Sequence, residues 1–107
     1  MIFTTILTAA AIASQPATEE VSVQELCETF GQVAEQIMTD RQSGEPMSEL
    51  MAHYTQTENN DTNGLTRAMI IDAYNQPAYR TQEMQTYEIS NFRNNVELVC
   101  YEGFGGE

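Results

Sequence analysis

The chain has 107 residues, 41 % of them hydrophobic, and sixteen acidic against four basic side chains give it a net charge of −12 at neutral pH. The cations are Arg41, Arg67, Arg80 and Arg93, with no lysine. Such a surface repels nucleic acid and anionic lipid and admits a cationic protein or a divalent ion, while the length allows one domain with a modest core.

Residues 1–13 carry no charge and include Ile2, Phe3, Ile6, Leu7 and Ile12. The run is too short to span a hydrocarbon core, which takes about 20 helical residues. It has the length of a signal-peptide apolar region, with Ala11 and Ala13 supplying small residues for cleavage, although no Lys or Arg precedes it. The other reading is an N-terminal helix docked on the domain. Residues 14–20, with Pro16 among them, lack periodicity and read as a flexible tail. The helical domain is expected over residues 21–102, and residues 103–107 as a flexible C-terminal tail.

The first helix starts at Ser22-Val23-Gln24-Glu25, a capping box, with Val21 and Leu26 placed for a hydrophobic staple. Val23, Leu26, Cys27, Phe30, Val33, Ala34, Ile37 and Met38 follow at spacings of three and four, which makes one apolar stripe. Gly44 supplies a left-handed residue to close it. A second, short helix begins near Pro46 and carries Met47, Leu50, Met51 and Tyr54 on one side.

Glu58 to Gly64 reads as a loop by composition. Leu65 to Gln76 reads as a third helix, apolar on more than one side, the pattern expected at the centre of a bundle, and Pro77 ends it. Thr81 caps a fourth helix with Glu83 in its first turn. Its stripe is Met84, Ile89, Phe92, Val96, Val99 and Cys100, and Gly103 stops it. No run alternates with period two. The fold class is all-α: a small bundle of about four helices, two long and two short.

Cys27 lies early in the first helix and Cys100 late in the fourth, both on apolar stripes. In an exported chain they form a disulfide that sets the two helices antiparallel. Zinc does not fit two cysteines and a single histidine.

Catalytic and ligand chemistry finds little support. Asn59, Asp61, Asn63 and Gly64 match the start of a calcium loop, yet position twelve is Ile70 where a bidentate glutamate is needed. Asx turns explain the segment better. His53 has no sequence partner for acid–base work and no Gly-x-Ser-x-Gly elbow accompanies it. Met47, Met51 and His53 could offer soft donors to copper(I), although core packing accounts for the methionines. Tyr79 and Arg80, on the connection between the last two helices, are the best candidates for exposed contact residues.

Cys27, Ala34-Glu35-Gln36-Ile37-Met38, Arg41-Gln42 with Gly44, Ala73-Tyr74 with Pro77 and Tyr79, and Phe92 with Cys100-Tyr101 together resemble small exported bacterial or phage helical proteins, a group with no assigned activity. The resemblance implies the same helical fold and disulfide, and carries no catalytic residue. The expectation is therefore a non-enzymatic, cofactor-free module in the periplasm or secreted space, with no membrane insertion after signal removal. It binds or inhibits another envelope or secreted protein. A periplasmic acid-stress chaperone is the first alternative, and a weak metal-binding protein the second.

Overall fold

A computed structural model describes residues 21–104, which form four α-helices and no strand. They are α1 (Val23–Gln42), α2 (Met47–Tyr54), α3 (Asn60–Tyr74) and α4 (Gln82–Phe104). The expected segments 1–13 and 14–20, and residues 105–107 of the tail expected over 103–107, lie outside the described residues.

Helix α1 begins where its sequence says it should. Ser22 is extended, and its hydroxyl accepts from the Glu25 N–H at 3.0 Å, satisfying one of the donors that a helix start leaves unpaired. The staple contributes little, because Val21 is 62 % exposed. Past the last turn, Gly44 takes φ +91°, a conformation costly for any residue with a Cβ. Pro46 is the extended residue before α2, whose first turn needs no donor from it. Thr81 Oγ1 accepts from Met84 N–H at 3.1 Å and so caps α4 as expected.

The main contact is between α1 and α4, which run antiparallel, with α3 packed on α1 and the short α2 packed mainly on α3. Cys27 and Cys100 are joined, with their Cα atoms 5.5 Å apart, and this ties the start of α1 to the late turns of α4. Further along the pair, Gly31 is buried: a Cβ there would lie 2.7 Å from Glu97 Cγ, so the missing side chain lets Glu97 settle across α1. Arg93 then bridges the helices, donating to Glu97 Oε2 at 3.0 Å and to Glu35 Oε1 at 2.5 Å. The remaining contact is apolar. Ala34, Ile37 and Met38 of α1 meet Leu50 of α2, Met69, Ile70 and Ala73 of α3, and Phe92 of α4. Burying side chains the size of Ile37, Ile70 and Phe92 stabilises the fold by about 1.5–3 kcal/mol each relative to exposure.

Three expectations need correction. The centre of the bundle is α1 and not α3, because Leu65 and Ile71 of α3 stay 49 % and 44 % exposed. Their excess apolar surface faces outward. Second, Asn60 to Gly64 are the opening turns of α3, since the Asn59 side chain accepts from Thr62 N–H at 3.0 Å and caps the helix. Asparagine and aspartate favour both loops and helix starts, and here capping wins. With 15 residues α3 is not short. Third, α4 runs through Gly103 to Phe104, and its inward stripe differs from the one expected. Met84 and Val99 are exposed, whereas Glu88 is buried.

Candidate functional site

The connection carrying Tyr79 and Arg80 is clasped from α1. Gln42, itself buried, donates from Nε2 to the Pro77 carbonyl at 2.9 Å and accepts from Tyr79 N–H at Oε1 at 2.8 Å. Arg41 donates to the Gln76 carbonyl at 2.6 Å and lies 4.9 Å from the centre of the Tyr74 ring. Its Nε is buried without a partner among the described residues. Gln85 of α4 donates to the Tyr79 carbonyl at 2.7 Å, and the Tyr74 hydroxyl donates to the Glu45 carbonyl. Arg41, Gln42, Gly44, Tyr74, Pro77 and Tyr79 thus gather at the end of the bundle away from the disulfide. The half-buried Tyr79 is held by its backbone, and Arg80 beside it is exposed. The arrangement fixes a loop.

A cleft of about 220 Å³ beside α2 is lined by Asp40, Glu45, Glu49, Leu50, His53 and Tyr54. The Tyr54 hydroxyl donates to Asp40 Oδ2 at 2.8 Å. Burial, followed by that bond and the Asp40 charge, pushes the Tyr54 phenol up to about 12. His53 is exposed and stands edge-on to the Tyr54 ring at 4.7 Å. Among the described residues no hydrogen bond or ion pair joins it to a carboxylate, and no cluster of three His, Cys, Asp or Glu side chains is placed to hold a metal ion. Met47 and Met51 pack against the apolar core, turned to a different task from His53. The calcium-loop side chains are likewise engaged: Asn59 caps α3, and Asn63 Nδ2 donates to the Thr57 carbonyl at 2.9 Å.

A second concavity is apolar and larger, about 390 Å³, and opens between α3 and α4. These two helices flank α1 with little contact between them, so a trough remains over α1. Phe30 of α1 lies at its floor beside Cys100, Leu65 and Met69 form one wall, and Val96, Val99 and Phe104 form the other. Leu65, Val99 and Phe104 expose 49 %, 67 % and 57 % of their surface, far more than the core side chains behind them. Asp72 and Asn95 are the polar residues of the lining. Such a trough can take an apolar side chain or helix face.

Sequence reasoning missed this groove, although its signal was present. Leu65 gives α3 an apolar side chain beyond its core-facing Met69, Ile70 and Ala73, and Val99 and Phe104 extend the apolar residues of α4 past its buried ones. Apolar surplus was read as centrality when it marks an open face. Compared with family models, characterised proteins and solved structures, the chain shows no match.

Proposed function

We propose that the chain is an exported protein-binding or inhibitory module of the envelope or secreted space, and that the groove between α3 and α4 is where its partner seats. The observation that carries this reading is the groove itself: an apolar trough of about 390 Å³ whose walls expose Leu65, Val99 and Phe104. Clustered exposed apolar side chains on a small domain mark interaction sites more often than accidents of packing. The Cys27–Cys100 disulfide is compatible with an oxidising compartment, and no described helix is long and apolar enough to cross a membrane.

A photoreactive side chain installed at Val99 in the exported protein tests the reading, with the same group at Ile71 as control. Ile71 is exposed on α3 and does not line the groove. Crosslinking from position 99 to one partner, with none from position 71, supports the groove. Equal labelling from both positions, or none from either, refutes it.

A further inference from the structure

The groove is apolar inside but its borders are acidic. Asp72 lies in the lining, and Asp61 sits one helical turn before Leu65 on the same face of α3. Glu102 follows Val99 by three residues on α4, and all three carboxylates are exposed. No arginine lines the groove. Arg41 and Arg80 belong to the far end of the bundle, and Arg93 is paired with Glu35 and Glu97. Arg67 is two residues from Leu65, a step of about 200° that turns it to the other side of α3.

Size and charge together select an occupant. From Asn95 to Phe104 the α4 wall rises about 14 Å, the length of roughly three helical turns. A trough walled by two helices and floored by a third takes the apolar face of a further helix, anchored at spacings of three, four and seven. A second copy of this chain would bring another net charge of −12 against the same rim, and anionic lipid meets the same repulsion. Resting on the groove reading above, we infer that the occupant is an amphipathic helix of about three turns on the partner, with Lys or Arg flanking its apolar stripe.

Peptides test this on the intact oxidised domain. A 14-residue helical peptide with leucine at three groove-facing positions is prepared with flanking lysines, with flanking glutamates, and with neutral glutamines. Fluorescence anisotropy then gives each affinity at low and high salt. The lysine form is expected to bind about tenfold tighter than the glutamine form, an advantage that shrinks as salt screens the rim. The glutamate form binds weaker still. Asp72→Lys with Glu102→Lys reverses the order of the charged peptides, and both positions are exposed, so the variant folds. Equal affinity for all three peptides, each weakened by Val99→Glu, would keep the groove and overturn the basic occupant. No binding by any peptide overturns the occupant as well, and the crosslink from Val99 then decides separately whether the groove reading survives.

Discussion

Breaking the Cys27–Cys100 link should cost this domain a large share of its stability. The two residues are 73 positions apart, and the chain-entropy account of a crosslink assigns about 4.4 kcal/mol at 25 °C to a loop of that size. Domains of this kind are stable by only about 5–15 kcal/mol in total. The expected loss corresponds to a melting temperature lower by roughly 18–35 °C and a urea midpoint lower by about 2–4 M. The assay is urea unfolding followed by far-ultraviolet circular dichroism, on the oxidised protein, on the protein kept reduced, and on Cys27→Ala with Cys100→Ala. Cys27 is fully buried, so the alanine variant adds a small cavity cost that the reduced protein does not carry. Agreement between these two within about 1 kcal/mol assigns the effect to the link itself. A loss below about 1 kcal/mol in both would refute the reasoning, because the helix pair would then need no covalent help.

Gln42→Leu strands the Tyr79 N–H and the Pro77 carbonyl at the connection, so it is expected to cost about 2–3 kcal/mol by chemical denaturation and to free the 75–81 amides for hydrogen exchange. Glu88 behaves in the opposite sense to a paired carboxylate. Burial raises its pKa, so the folded state holds the proton longer than the unfolded chain and this group's contribution to stability falls as pH rises through that interval. Glu88→Gln should therefore raise the melting temperature at pH 7, with the gain vanishing below the unfolded carboxyl range near pH 4; a gain that grows in acid contradicts the assignment. Tyr54 is raised from 10 to about 12, so the fold loses its contribution as pH climbs between those values, and an ultraviolet titration should show a tyrosine that ionises about two pH units above the ordinary phenol and is lost in Tyr54→Phe.

How much of this was legible in the chain depends on whether the signal was local. The start of α1 follows from Ser22, whose hydroxyl takes the Glu25 N–H, and its end from a glycine that readily adopts φ +91°. The cap of α4 at Thr81 is equally local. The disulfide was legible because both cysteines fell on stripes at ends that an antiparallel pair brings together. What the chain hid was relational. Nothing in the run around Leu65 says whether a second apolar face meets another helix or solvent, and the answer lies in how little α3 and α4 contact each other beside α1. Burial of Glu88 is hidden for the same reason, since a carboxylate one turn before Phe92 reads as surface until its neighbours are in place. The Gln42 clasp joins residues more than thirty positions apart, and neither end of it carries a pattern.

The account stands on a domain that matures in an oxidising space with α1 and α4 covalently joined. Intact mass of the protein isolated from its own cells, with thiols blocked at lysis and no reductant, tests this most directly. The expected species begins after Ala13, takes up no blocking reagent, and gains two labels only after reduction. A species that retains residues 1–13 and carries two labels from the outset would contradict it.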